Sequence, residues 1–340
     1  MSVMYPELAK MLIDLRNRVV LEATSRRGDV VDFLSKTVWI PMKGDEIPCE
    51  RVAAVDSSFI LFESRIAVLY ALQGISQVHS IENGKIVTKD VDRFCDAGVI
   101  EYAHGKSSMR KSAFKKALTA YAYLNEVKSV ERIVLKTPVD VVLFDSSILS
   151  FLLTRRDIAN NLIVRSVNDS KTLEEVYASR LEALESLAKR FTIVFVAKSS
   201  SVSFYTESES SYTDFQLFEL ARLYKIQPFL EAGYSAPKEV EFSEKVKKFL
   251  GIREMGLRGF IVSYARFQKN SQVFQLTIPF IDKKPDIEKT IACIKAFSPA
   301  GYPIPLEFAH RVSKLSRRSL RDFLIKIGMP IASGREFLEL

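Results

Sequence analysis

Residues 52–72 read VAAVDSSFILFESRIAVLYAL, two apolar runs joined by a short polar stretch. The first run has the composition of a strand over residues 51–56, with Asp56 at its end. FILFES (59–64) and RIAVLYALQGISQVHS (65–80) follow at once and leave no room for a helix, so an antiparallel meander is the economical reading. Asn83-Gly84, inside ENGKIV (82–87), supplies a hairpin turn signal. The pattern then recurs in VDVVLFDSSILSFLL (139–153), which again brings an aspartate, Asp145, and two serines to the end of an apolar strand.

The stretch from Lys106 to about Leu135 lacks Pro and is rich in Ala, Leu and Lys, which predicts one long helix ahead of the second aspartate strand. KTLEEVYASRLEALESLAKR (171–190) predicts a further helix and FTIVFVAK (191–198) a further strand. Strand, helix, strand with continuous apolar strands implies parallel pairing in a covered sheet. Residues 5–36 read as helix, 199–214 as a mobile Ser-rich loop, 259–280 as a hairpin turning near Lys269-Asn270, and 284–296 as helix. After Pro303 and Pro305 a basic helix is expected. The order matches a ribonuclease H-like α/β fold: a mixed sheet, meander plus parallel strands, flanked by helices and carrying helical and hairpin additions. The division that follows is an N-terminal helical segment over 1–50 and a ribonuclease H-like domain over 51–340, with an insertion loop around 199–214 and a helical C-terminal part.

Composition bounds the chemistry. The chain has 340 residues, 47% of them hydrophobic, enough for a sizeable core. The absence of a long uncharged apolar run and of a leader-like N-terminus points to a cytoplasmic protein. Cys49, Cys95 and Cys293 are three and far apart, so buried free thiols are expected rather than a disulfide framework or a zinc site. With only three histidines, His79, His104 and His310, a metal site must lean on carboxylates, which suits Mg2+ or Mn2+. The formal charge of +8 suits a polyanionic partner. No GxxxxGK[ST] loop occurs, so any ATP-driven motion must come from another protein.

Taken singly, Asp56 reads as a strand-end turn residue and Asp145 as a helix cap. Taken together, on neighbouring strands, they would lie about one strand spacing apart, ~5 Å. Two carboxylates that close repel, and a divalent cation removes the conflict. A third carboxylate is sought on the long helix. A strand of this height is retraced in ~13 helical residues at ~1.5 Å each, which favours Glu126 over Glu131. Carboxylates around one or two divalent ions suit phosphodiester hydrolysis.

AVDSSF (54–59), VVLFDSS (141–147), the strand-ending lysine of VFVAKS (194–199) and GYPIPLEFAHR (301–311) together resemble the NurA family of archaeal nucleases, over roughly residues 50–317. The resemblance implies a Mn-dependent nuclease, with Mg2+ as a substitute. It would act 5′ to 3′ on single- and double-stranded DNA ends and cut within single strands, in DNA end resection and break repair. It also implies a homodimer with a central channel that docks on a HerA-type hexameric ATPase. Asp56 and Asp145 match the family's strand aspartates, Glu126 its helical glutamate, and Tyr302 and His310 its C-terminal Tyr and His. Many relatives have Gly after each aspartate, where this chain has Ser57 and Ser146.

His310, expected in the first turns of its helix, would ligate metal or protonate the leaving oxygen. Tyr302 would orient the phosphate or anchor its loop. Lys198 would stabilise charge on the phosphorus or lie along the sheet edge. Two basic stretches suit a DNA backbone: Lys106, Arg110, Lys111, Lys115 and Lys116, and Arg311, Lys314, Arg317, Arg318 and Arg321. Arg311, Lys314, Arg318 and Arg321 would share one helical face. Phe204, Tyr205 and Tyr212 would stack on bases or pack on their own domain. The competing functional reading is a non-catalytic DNA-binding adaptor of a translocase complex. A resolvase- or transposase-type enzyme is a third.

Overall fold

The computed structural model describes residues 5–25, 27–42, 49–63, 68–102, 111–153, 162–167, 169–206, 212–253 and 256–328. Helices α1 (Pro6–Ser25) and α2 (Arg27–Ser35) and a short strand β1 (Trp39–Pro41) precede the meander, which consists of β2 (Arg51–Glu63), β3 (Val68–Glu82) and β4 (Lys85–Tyr102). Then come α3 (Lys111–Lys136), β5 (Val141–Phe144), α4 (Ile148–Leu153), β6 (Leu162–Ser166), β7 (Ser170–Thr172), α5 (Leu173–Ala188) and β8 (Thr192–Ala197). The remainder is α6 (Asp214–Leu223), β9 (Gly233–Ser235), β10 (Lys238–Glu241), α7 (Glu244–Leu250), β11 (Gly259–Arg266), β12 (Phe274–Phe280), α8 (Ile287–Ala296), α9 (Ile304–Ser313) and α10 (Arg317–Lys326). The strands form one sheet in the order β1-β9-β11-β12-β8-β5-β2-β3-β4-β6-β7, with β10 paired to β11.

The centre of this sheet is parallel. β5 runs beside β2 from Val52↔Val141 to Val55↔Phe144, and beside β8 from Val141↔Thr192 to Phe144↔Phe195. All of β5 is buried, as expected of a parallel strand covered on both faces. Neighbouring strands bury alternate residues on opposite faces. Ala53, Val55, Val142 and Phe144 join the core that contains Val127, Val130 and Val134 of α3. Val52, Ala54, Val141 and Leu143 join the core that contains Ile291 and Ile294 of α8 and Leu306 of α9. The meander turns at Asn83 and Gly84, whose φ values of 50° and 72° are those of the expected tight hairpin turn. The β11–β12 hairpin likewise turns at Asn270, with φ 60°.

The first aspartate strand does not end at Asp56. β2 continues through Asp56, Ser57 and Ser58 to Glu63, and β3 pairs with it over the whole length, from Arg51↔Ser80 to Glu63↔Val68. FILFES is therefore the second half of one strand. Polar side chains do not break a strand when the neighbour on one side supplies every backbone partner. What stops near Asp56 is the parallel pairing on the other side.

The basic C-terminal segment is two helices. α9 ends at Ser313, and Lys314 adopts an extended backbone with φ −60° and ψ 120°. The free carbonyl at this end is taken by the sheet: Ser58 Oγ donates to Ser313 O at 2.6 Å, and Gln73 Nε2 donates to the same oxygen at 3.0 Å. Ser316 then caps α10. Arg311, Lys314, Arg318 and Arg321 consequently do not line one helix.

Cys49 and Cys293 form a disulfide, with Cα atoms 5.6 Å apart, and the free cysteine, Cys95, is exposed. Both findings correct the expected buried thiols. The pair is 244 residues apart in sequence and meets because α8 packs against the start of β2. The Ser-rich segment is tied down where it is described. Buried Asp214 accepts the amides of Phe204, Tyr205 and Thr206 at 2.6 Å, 3.0 Å and 2.9 Å. Phe204 packs edge-on against Phe260, Tyr205 donates to Ala236 O, and Tyr212 lies against the core. These rings serve the fold. Among the described residues no helix is long and apolar enough to cross a membrane.

Candidate metal and phosphodiester site

The alternation along β2 and β5 decides where each functional group points. Asp56 follows Val52 and Ala54 onto the α9 face, and Asp145 follows Val141 and Leu143 onto the same face. Beyond Phe144 the β5 strand stops, which opens a crevice between β2 and β8 at the level of both aspartates. α9 packs over β2 and β3 and brings His310 to Asp56 at the rim of this crevice. Ligand atoms of Asp56, Asp145 and His310 all lie within 4.8 Å of one another. Ligands of one octahedral ion at ~2.1 Å sit ~3.0 Å apart when cis and ~4.2 Å when trans, so a pair of these atoms as far apart as 4.8 Å draws together by roughly 0.6–1.8 Å to share one.

Each member is braced. His310 Nδ1 lies 2.8 Å from Asp56 Oδ2, Ser313 Oγ donates to the same oxygen at 3.2 Å, and the Ser57 amide donates to Asp56 Oδ1 at 2.8 Å. Lys198 Nζ donates to Asp145 Oδ2 at 2.7 Å and sits 4.7 Å from the centre of the Tyr302 ring. The Tyr302 hydroxyl is buried beside Asp145 with no partner in hydrogen-bonding geometry. His310 itself is 59% exposed and lies near the end of α9, so its expected place in the first turns is corrected.

Glu126 approaches from the opposite face. It is the buried carboxylate of α3, and Ser57, whose side chain points to that face, donates to its Oε1 in a short hydrogen bond. Glu131 instead accepts from Ser186 of α5 at 3.1 Å and faces away from the aspartates. The crevice thus concentrates negative charge. Burial, then the Asp56 charge, pushes the Glu126 carboxyl well above its ordinary range. Burial, then Asp145, raises Asp56, with His310 opposing. Burial, then Asp145, also raises the Tyr302 phenol, which stays neutral. Tyr123, buried near Glu126, is pushed up to about 12. Oxygen donors with one imidazole, carrying uncompensated charge, are the set that suits Mg2+ or Mn2+.

Of the basic residues, Arg311 lies 5.3 Å from the centre of the Phe308 ring on α9, while exposed Lys314 follows it and Arg318 and half-buried Arg321 belong to α10. Arg110 and Lys106 lie outside the described residues, and Lys115 and Lys116 are exposed on α3. Ser57 and Ser313 are site residues that motif matching does not single out. Period-two alternation from Asp56 and the i, i+3 spacing from His310 are the signals that find them.

Comparison with known proteins bears on the fold and the family. A solved NurA nuclease from Sulfolobus solfataricus shares the fold with a TM-score of 0.67 at 16% identity, covering 96% of this chain and 97% of that one. A NurA structure with manganese matches with a TM-score of 0.59 at 13% identity, over 93% of this chain and 97% of that one. A NurA structure bound to dAMP and manganese matches with a TM-score of 0.57 at 14% identity, over 94% and 96%. An uncharacterized protein of Methanocaldococcus jannaschii is 28% identical over 231 residues, 57% of this chain and 54% of that relative, so the match spans about half the relative's length. The fold is a ribonuclease H-like α/β fold. Residues 50–315 match the NurA domain, and this chain belongs to the NurA family.

Proposed function

We propose that the chain is a divalent-metal-dependent DNA nuclease that hydrolyses phosphodiester bonds at the crevice between β2 and β8. The observation that carries the proposal is the convergence of Asp56, Asp145 and His310 within 4.8 Å from three distant parts of the chain. NurA structures with manganese, and with dAMP and manganese, support a metal-assisted reaction that leaves nucleotide products.

In this reading Asp56 and Asp145 hold the ion, with Glu126 as the reserve carboxylate behind Ser57. When bound, the ion would supply Lewis acidity at the phosphoryl group under attack. Lys198, already beside Asp145, sets a positive charge against the phosphate as it gains charge. Tyr302 stays protonated and offers its free O–H to a phosphate oxygen. His310 keeps one ring nitrogen on Asp56 and turns an exposed side chain toward the substrate side, where it completes the ligand set or protonates the leaving oxygen. Mn2+ affinity of a His310→Ala variant separates those two roles. Arg311 on α9, Lys314 in the extended link after it, and Arg318 and Arg321 on α10 contact DNA phosphates, with Arg110 as a further contact.

The finer assignment follows the family: 5′ to 3′ trimming of single- and double-stranded ends, cutting within single strands, and work as a homodimer on a HerA-type ATPase in end resection. The primary test is cleavage of end-labelled single-stranded DNA with Mn2+, comparing wild type with Asp56→Asn. Cleavage by wild type alone is expected. If neither protein cleaves while both bind, the chain is an adaptor. Labelling the 5′ and 3′ ends separately reads the polarity, and symmetric cuts in a four-way junction would instead indicate a resolvase.

A further inference from the structure

The doubled Asp-Ser-Ser motif brings two aspartates to the candidate centre, and the serine after the first of them, Ser57, donates to Glu126. Ser146, the serine after the second, occupies the matching place. Its Oγ is buried with no partner in hydrogen-bonding geometry, and it lies beside the phenol of Tyr123. A buried hydroxyl without a partner costs free energy, which asks for a reason to keep a serine there.

Tyr123 supplies one. It stands three residues before Glu126 on α3, and residues at that spacing share a helix face. Glu126 meets Ser57 of β2, while the phenol meets Ser146 and Asp145 just past the end of β5, with Glu126 beside it. The centre of the Tyr123 ring lies 5.1 Å from that of Phe151, which holds the side chain against the core. That packing needs only a ring, and a phenylalanine would provide it. The hydroxyl is a separate feature. Burial, then the Glu126 charge, pushes the phenol up to about 12, so at neutral pH it keeps its proton and can donate. A carboxylate has room for several donors, and those that serve an ion are oriented by such outer partners.

We propose that Tyr123 is a positioning residue for Glu126: its O–H, backed by the Ser146 hydroxyl, donates to the Glu126 carboxylate from the α3 side and fixes, together with Ser57, the direction in which that carboxylate faces the two aspartates. Each copy of the motif then contributes one acidic group and one brace, Ser57 acting directly and Ser146 through the phenol. The inference rests on the nuclease reading and adds the residues that orient its third carboxylate.

The test is calorimetric titration of Mn2+ into the full chain without DNA, for wild type, Tyr123→Phe, Ser146→Ala and the double variant. Tyr123→Phe keeps the ring on Phe151 and weakens Mn2+ binding about tenfold, the size of effect expected when an outer partner of a ligand is removed. Ser146→Ala weakens it about threefold, and the double variant is no weaker than Tyr123→Phe, because the serine acts through the phenol. In cleavage of single-stranded DNA at saturating Mn2+, Tyr123→Phe lowers kcat about tenfold and leaves KM unchanged. Matching melting temperatures in EDTA show that the variants fold. Wild-type Mn2+ affinity and kcat in Tyr123→Phe overturn the assignment and leave the ring a packing residue. Losses that add in the double variant overturn the Ser146 link. If wild type cleaves and Tyr123→Phe matches it in both measurements, the positioning role fails alone. If Mn2+ binding behaves as stated and wild type cleaves no DNA, the nuclease reading fails instead. Wild type that takes up no Mn2+ removes both.

Discussion

Neutralising Asp56 has opposite consequences with and without metal. Asp56 and Asp145 are 13% and 11% exposed at the side chain, and their ligand atoms lie within 4.8 Å. At an effective dielectric constant of about 20, two unit charges at that separation repel by about 3.5 kcal/mol. Asp56→Asn removes the repulsion and keeps a carbonyl oxygen for the Ser57 amide. It weakens the contacts to His310 and Ser313, at about 1–1.5 kcal/mol. Part of the repulsion is already offset by Lys198, so the metal-free variant is expected to gain about 1–2 kcal/mol, or roughly 1–3 °C in melting temperature at ~1.4 °C per kcal/mol for a chain this long. Mn2+ at about 100 times its dissociation constant stabilises wild type by ~2.7 kcal/mol and the variant far less, so the order reverses. The folded-state carboxyl of Asp56 lies above its ordinary value, through burial and then Asp145. Its stabilising contribution is therefore complete below the unfolded carboxylate pKa and is lost as pH rises through the folded value, so the metal-free advantage of Asn vanishes in acid and grows toward neutral pH. The assay is thermal unfolding of both proteins in EDTA and in Mn2+ across pH 4 to 8. A variant that melts below wild type in EDTA, or an equal Mn2+ shift in both, refutes the reasoning.

Ser57→Gly removes the hydroxyl that stabilises the charged form of Glu126 and is expected to destabilise the metal-free fold by about 1–2 kcal/mol. It also moves Mn2+ uptake to higher pH in calorimetric titrations, and an unchanged pH profile would discard the Ser57–Glu126 coupling. Tyr302→Phe deletes a buried hydroxyl that faces Asp145, so stability in EDTA should stay within about 1 kcal/mol of wild type while Mn2+-dependent cleavage falls. A clear drop in melting temperature would show that the hydroxyl holds the fold. Reduction of the Cys49–Cys293 bridge should lower stability by about 2–5 kcal/mol, and Cys293→Ser should melt like the reduced wild type. Equal melting with and without reductant counts against the bridge.

Much of this site was legible before any coordinates. VVLFD can only be a buried strand, and a buried strand that ends in a carboxylate must place it at a sheet edge. The helix arithmetic separated Glu126 from Glu131 because rise per residue is a property of the backbone alone. Other features depend on tertiary partners and left no local trace. That β2 runs through Asp56 is decided by β3, which pairs with it to Glu63. The break after Ser313 is made by Ser58 and Gln73, more than 200 positions away in the chain. The Cys49–Cys293 bridge depends on α8 docking beneath β2, and the anchoring of Phe204 and Tyr205 depends on Asp214 being buried. Local pattern reports what a segment prefers, and these outcomes were set by what it meets.

Asp56 and Ser57 are adjacent in the chain, yet their side chains leave β2 in opposite directions, one to the layer carrying His310 and the other to the layer carrying Glu126. Neither half of the molecule can assemble the centre by itself. A nascent or damaged chain with only one layer in place lacks part of the charge set, so cutting power would arrive last, when the whole body has closed. On the proposed nuclease reading, such an arrangement withholds the activity until both layers are in place.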